Sequence, residues 1–278
     1  SSSYAPFGKA RRVEGGYAVE GRWSWSSGCD HATWVILGAL VEMENGETNH
    51  LALVVAPGDY EIVQSSWDSA GLSGTGSKDI IVKGAFVPTY RVHNINDGYV
   101  LAEPGRATFT ADTYKLPFGS VFALTLASVL VGMADGAFDF YLDYIGKRTS
   151  AYTGAGFKED ALAQQVLAEA HSLLDGAHLR LNRDADEMAD FAMRGEDVPL
   201  DRRVFYKWDA ANIVKQCRDA VNLLTANSGG SIFNRNSQMQ RYFRDINTGS
   251  NHLFVNPQKS SVNFARFVLT GENQDLMV

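Results

Sequence analysis

The spacing of apolar residues changes part-way along the chain. Over the first hundred residues they come in short runs rich in Val, Ile and Leu, parted by Gly, Asn and Pro. Ala32 to Met43 is nearly continuous, Leu51 to Ala56 follows, and Ile80-Ile81-Val82 with Ala85-Phe86-Val87 carries the pattern on until Pro88 closes it. Runs of this kind predict strands. Asn45-Gly46 lies between the first two, and because both positions accept positive φ it marks a hairpin. Glu14-Gly15-Gly16 marks a second turn. Thr89 to Leu116 is less regular and holds Pro104-Gly105. Beyond it the spacing becomes helical. Gly119 to Arg148 is a long apolar helix, and Lys158 to Arg194 repeats Leu162, Val166, Leu173, Ala177, Leu181 and Met188 at helical intervals. A third helix starts near Pro199, carries Val204, Trp208, Ala211, Val214, Val221 and Leu224 on one face, and stops at Gly229-Gly230. A fourth begins near Ser237 and reaches about Asn247, and a last covers Val262 to Leu269. The expected fold class is α+β: a small β-barrel or sandwich over residues 1–112, then an antiparallel four-helix bundle over residues 113–278.

Composition narrows the function classes. The 278 residues are 45% hydrophobic and 21% charged, an ordinary globular balance. The net charge of −7 argues against a nucleic-acid partner, which needs a Lys/Arg excess. Two cysteines far apart, Cys29 and Cys217, give no disulfide framework and fit a reducing, cytoplasmic setting. The opening Ser1-Ser2-Ser3-Tyr4-Ala5-Pro6 has no basic region before an apolar run, so no signal peptide is expected. Val121 to Ala134 is short for a bilayer and holds Thr125, Ser128 and Gly132, so it reads as a core helix and no membrane is expected.

Four places could carry chemistry. Trp23-Ser24-Trp25-Ser26-Ser27-Gly28 pairs aromatic walls with hydroxyl donors, a set that suits a planar polar ring such as a flavin. Its plainer reading is two core aromatics on one strand face, followed by a polar turn. Arg148 closes the first long helix, where a cation is favoured by the dipole, and its guanidinium could equally bind a cofactor phosphate. Gly230-Ser231 either ends the third helix or offers backbone N–H groups to the same cofactor. His252 is either structural or a group that titrates near neutrality beside a phenol. Two further motifs are set aside. Gly71-Leu72-Ser73-Gly74-Thr75-Gly76-Ser77-Lys78 lacks the order of a phosphate loop and precedes strand residues, so it reads as a tight turn. Cys29-Asp30-His31 has no second ligand pair, so no metal is expected.

Taken together, these segments resemble the acyl-CoA dehydrogenase fold. Within it they are similar to the oxygenase components of two-component flavin-dependent monooxygenases that hydroxylate phenols, such as those acting on 3-hydroxy-9,10-secosteroids and p-hydroxyphenylacetate. The runs that carry the resemblance are Ala5-Pro6 with Gly8, Gly15-Gly16-Tyr17, Trp23 through Trp34, Gly74 to Ser77, Phe86-Val87-Pro88, Tyr114-Lys115 with Pro117, Gly146-Lys147-Arg148, Leu167 to Ala170, Gln240-Arg241 with Arg244-Asp245, His252 and Met277-Val278. The resemblance implies a reduced flavin, FMNH2 ahead of FADH2, with O2 as co-substrate. It also implies a separate flavin reductase, a small aromatic substrate and a homotetramer. It assigns Trp25, Ser26 and Ser27 to the isoalloxazine, with Ser3 near it, Arg148 to phosphate, Gly230 and Ser231 to cofactor support, and His252 to the phenol.

Two departures stand out. The helical N-terminal domain of such proteins, roughly a hundred residues and of independent-domain size, is not in this sequence, and Ser73 replaces their usual Arg. The dehydrogenase branch of the fold implies a Glu base just after Arg-Asp. Asn247-Thr248-Gly249-Ser250 offers no carboxylate there. An FAD-dependent acyl-CoA dehydrogenase and a non-catalytic assembly protein of the same fold are the rival readings.

Overall fold

A computed structural model describes residues 1–150 and 152–278. These residues fall into two compact units, Ser1–Ala102 and Glu103–Val278.

The first unit is built on β1 (Ser2–Val13), β2 (Gly16–Ser26), β3 (Val35–Glu42), β4 (Thr48–Val55), β5 (Glu61–Val63), β6 (Lys78–Pro88) and β7 (Val92–Asn94), and ends in the one-turn helix α1 (Asn96–Tyr99). The strands form one sheet in the order β5-β6-β2-β1-β3-β4-β7. Only the β1–β3 pair is parallel among them. β4 and β6 have three strands between them in that order, yet they approach each other, so the sheet rolls towards a barrel. The alternation of β3 and β4 puts Val35, Leu37, Ala39, Leu51, Leu53 and Val55 inside, with Val19, Trp23, Ile80, Val82 and Val87 completing the core.

Trp23 is the largest of these and fully buried; its Nε1 donates to the Gly38 carbonyl at 2.7 Å. The indole fits only because Gly8 lies beneath it. A Cβ on Gly8 would come within 1.8 Å of the ring.

The second unit opens with the short helix α2 (Pro104–Thr108), then α3 (Phe118–Lys147), α4 (Ala161–Arg194), α5 (Leu200–Ala226), α6 (Gln238–Gly249) and α7 (Pro257–Thr270). α3, α4, α5 and α6 pack on one another, and α7 lies on α5. Small residues on α3 (Ala123, Ala127, Ala134, Ala137) let α5 approach closely, and α5 answers with Ala210, Ile213, Val214, Cys217 and Val221. α4 starts at Asp160, whose carboxylate accepts the Ala163 N–H at 2.9 Å, and stops at Gly195, where φ is 70°.

Two expectations need adjustment. Residues 103–112, expected with the strands, belong to the helical unit: Arg106 pairs with Asp197 and donates to the Lys115 carbonyl at 2.6 Å. The apolar stretch at Val121–Ala134 is part of a helix of 30 residues, which by length and composition alone could cross a membrane. One face of it is covered by α4, α5 and α6.

Gly8→Ala should destabilise the strand unit by about 1–3 kcal/mol through overpacking against Trp23, read as a lower midpoint in thermal denaturation.

Candidate functional site

The expected site residues lie in both units, and each group has its own geometry. In the strand unit, β2 does not keep its alternation to the end. Trp23 points into the core, but Trp25 adopts φ 62°, a left-handed backbone that large side chains rarely take, and the register against β6 shifts between Trp23 and Ser26. The indole of Trp25 therefore turns outward and is 59% exposed. Its edge meets Trp67 at 4.9 Å between ring centroids, nearly perpendicular at 87°. Trp67 Nε1 donates to the carbonyl of Leu72 at 3.1 Å, and Leu72 is itself left-handed with φ 54°. Two strained residues thus flank one indole. Such strain costs roughly 1–3 kcal/mol per residue, persists where surrounding structure enforces it, and clusters at functional sites.

The hydroxyls around Trp25 differ in access. Ser26 is fully buried and shares a hydrogen bond with Ser1 Oγ at 3.0 Å. Ser27 is exposed, with its Oγ 3.0 Å from Ser77 Oγ at the end of the glycine-rich turn. Ser3 is buried and donates to the Ser24 carbonyl at 2.8 Å. Of the three, Ser27 is the hydroxyl open to a ligand. The turn itself is closed by Thr75, whose N–H and Oγ1 both reach the Leu72 carbonyl, and it leads into β6, as expected of a strand connection. Asp30 pairs with Lys78 at 2.6 Å, which holds its carboxyl below the usual carboxylate range, while the Cys29 thiol is buried facing the Gly76 carbonyl.

In the helical unit, the structure brings Arg148, Gly230 and Ser231 together. Arg148 is the C-cap of α3, with its guanidinium 4.2 Å above the Phe157 ring, and Nη1 donates to the Ser228 carbonyl at 2.7 Å. Nη2 lies against Gly229, where a Cβ would come within 2.6 Å of it. Gly229 has φ 77°, so glycine is required there on both counts. Tyr144 Oη donates to the Ser228 carbonyl at 3.0 Å and lies 2.8 Å from Ser231 Oγ. The result is an arginine, a tyrosine and a serine around an exposed glycine backbone. That donor set fits an anion such as a phosphate.

His252 caps the 3-10 turn Leu253–Val255, and its Nδ1 accepts the N–H of Phe254 at 3.2 Å. Phe122 of α3 meets its ring at 6.1 Å and Phe254 at 4.7 Å. Behind Phe254 lies a residue the sequence reading missed. Lys207 of α5 is 3% exposed, with Nζ 3.3 Å from the Phe254 centroid and donating to the Met277 carbonyl at 3.1 Å. Burial pushes its pKa down to about 7, against the opposing charge of Asp275. The His252 pKa is also lowered, first by loss of hydration among its neighbours and then by the Lys207 charge. The signal was present in the sequence: Lys207 sits between Val204 and Trp208 on the apolar stripe of α5.

Comparison with known proteins supplies the family. The acyl-CoA dehydrogenase C-terminal domain family matches residues 124–257. The oxygenase subunit HsaA of a flavin-dependent monooxygenase from Rhodococcus jostii is 36% identical over 274 residues, covering 98% of this chain and 70% of that protein. This chain belongs to that family. The oxygenase component of p-hydroxyphenylacetate 3-hydroxylase from Acinetobacter baumannii is 30% identical over 256 residues, covering 92% of this chain and 60% of that protein. The crystal structure of 3-HSA hydroxylase from Rhodococcus sp. RHA1 superposes with a TM-score of 0.93 at 34% identity, over 100% of this chain and 71% of its own. The flavin-dependent oxygenases therefore account for both units of this chain, the helical one on an acyl-CoA dehydrogenase fold.

Lys207 yields a test with a defined sign. Its folded pKa is depressed, so between about 7 and the ordinary lysine value the unfolded chain binds a proton that the folded chain lacks, and stability rises with pH across that window. In urea denaturation at a series of pH values, the wild type should gain on Lys207→Met as pH rises, and the gap should be constant below the window.

Proposed function

We propose that this chain is the oxygenase component of a two-component flavin-dependent monooxygenase that hydroxylates a phenol. A separate reductase supplies reduced flavin. When bound, the flavin gives two electrons to O2, so that one oxygen atom enters the aromatic ring and the other leaves as water. The remaining work falls to side chains. Trp25 offers its exposed face to the isoalloxazine, Ser27 offers the accessible hydroxyl to the ring's polar edge, and Ser26 holds the turn from within. Arg148 takes the phosphate, with Gly230 and Ser231 supporting it. His252 meets the phenol oxygen, by taking its proton or by hydrogen-bonding to it, which raises electron density at the adjacent ring carbon. Phe122 and Phe254 set apolar rings against one side of that imidazole, which is otherwise open.

The observation that carries this reading is the left-handed Trp25. Strain that turns an indole outward beside an open hydroxyl gains only an edge contact with Trp67, and a planar cofactor would give the open face a partner. The dehydrogenase alternative lacks support at the end of α6, where Asn247 to Ser250 provides no carboxylate base.

A homotetramer belongs to the proposal. Val129 and Leu142 of α3, Leu179 of α4 and Leu269 of α7 are exposed apolar side chains that assembly would cover. Light scattering should return the mass of four copies.

Anaerobic titration should show binding of reduced FMN more tightly than reduced FAD. Admitting O2 in the presence of a phenol should yield the hydroxylated product. Arg148→Ala should weaken reduced-flavin binding by roughly 10–100-fold, the worth of a hydrogen bond to a charged group. Reduction of bound oxidised flavin by an acyl thioester without any reductase would overturn the proposal.

A further inference from the structure

Trp67 joins two strained points of the strand unit. Trp25, Leu72 and Leu101 are the non-glycine residues with positive φ among the described residues. Two of these three are partners of Trp67. Its ring meets the Trp25 indole at 4.9 Å and 87°, and its Nε1 donates to the Leu72 carbonyl at 3.1 Å. That carbonyl also accepts the Thr75 N–H at 3.0 Å and the Thr75 hydroxyl at 2.9 Å, so three donors converge on one oxygen. A strained residue persists where its surroundings enforce it, and here one indole touches both.

Trp67 is itself held in place. It follows the 3-10 turn Gln64–Ser66. Ser66 Oγ donates to the Val63 carbonyl at 2.6 Å and accepts the Asp79 N–H at 2.8 Å, which pins that turn to the start of β6. Lys78 Nζ donates to Gln64 at 2.5 Å on one side and to Asp30 at 2.6 Å on the other.

The contacts close into a loop. From the Trp25 ring the path runs to Trp67, through Nε1–H to Leu72, along the glycine-rich turn to Ser77, and from Ser77 Oγ across 3.0 Å to the hydroxyl of Ser27, two residues after Trp25. Ser77 is buried and Ser27 exposed, so the loop presents an open hydroxyl beside an open indole. From this closed path, and resting on the proposed flavin-dependent hydroxylation, we propose that Trp67 is a positioning residue. It holds the Trp25 indole and the Ser27 hydroxyl in register, so that a planar cofactor meets its apolar wall and its polar partner together. The Nε1–H donor matters as well as the ring, because it ties the wall to the turn.

Two measurements on the full chain decide the matter. Labelling with 15N-tryptophan gives a readout that needs no flavin. The Trp67 indole N–H should exchange slowly with solvent, and Ser77→Ala or Trp25→Leu, each elsewhere on the loop, should speed that exchange. Reduced FMN is then titrated anaerobically into the wild type and the variants. Trp67→Phe keeps a ring beside Trp25 but loses the donor, and should weaken binding about 3–10-fold, the worth of one hydrogen bond. Trp67→Leu loses the ring contact too and should weaken binding by roughly 10–100-fold. Ser27→Ala should have a smaller effect in the Trp67→Leu background than in the wild type, because the hydroxyl is already out of register there. Losses that simply multiply, or Trp67→Leu binding as tightly as the wild type, would overturn the proposal. If Trp67→Leu does not fold, Trp67→Phe takes its place in the cycle with Ser27→Ala. If the wild type binds no reduced flavin, the functional reading falls, and the exchange rates still decide whether Trp67 ties the wall to the turn.

Discussion

The hydrogen bond from Trp23 Nε1 to the Gly38 carbonyl, 2.7 Å long and fully buried, fixes the end of β2 against β3. β1 lies between these strands, and its Gly8 leaves the hollow that the indole fills. Everything just beyond Trp23 depends on that anchor. Two residues later the chain turns into a left-handed conformation at Trp25, which no local propensity supports. The strain is offset by the buried indole before it, by the Ser26–Ser1 hydroxyl pair within it and by the Ser27–Ser77 pair after it. The open face of Trp25 is thus a product of core packing on one side and a polar clasp on the other.

The helical unit solves a different problem, that of keeping a cation in an apolar bundle. Lys207 is held by the Met277 carbonyl and the face of Phe254, with Asp275 nearby, and Arg203 reaches towards the buried Val278. The C-terminal segment, which ends in Met277-Val278, is therefore part of the electrostatic setting of His252. The carbonyl of Met277 also lies where a Cβ on Gly119 would fall, 2.3 Å away, so that segment and the start of α3 are fitted closely to each other.

Much of this was legible from spacing alone. The helices of the second unit follow from apolar repeats, Pro199 marks the start of α5, and Asn45-Gly46 forms the predicted turn between β3 and β4. β5 and β7 escaped because each is three residues long and draws its pairing from a neighbour. Trp25 was expected to share a face with Trp23, since strict alternation has no means of signalling a positive φ at a tryptophan. Ser26 and Ser27 looked equivalent in sequence, and only the fold separates the buried hydroxyl from the open one. Arg148 and the Gly230-Ser231 pair lie far apart in the sequence, and the structure joins them through Ser228, Gly229 and Tyr144. Lys207 lies on an apolar stripe, but lysine is normally a surface residue, so spacing alone does not signal its burial.

The edge-on meeting of Trp25 with Trp67 has an optical consequence. The chain has five tryptophans, and Trp23, enclosed in the core, gives emission set by its fixed surroundings. Trp25, half open to water, instead responds to whatever lies on its face, and Trp67 stands edge-on to it at 4.9 Å. Arrival of a coloured planar molecule there would dim and shift part of the ultraviolet fluorescence, so the protein carries its own indicator of occupancy.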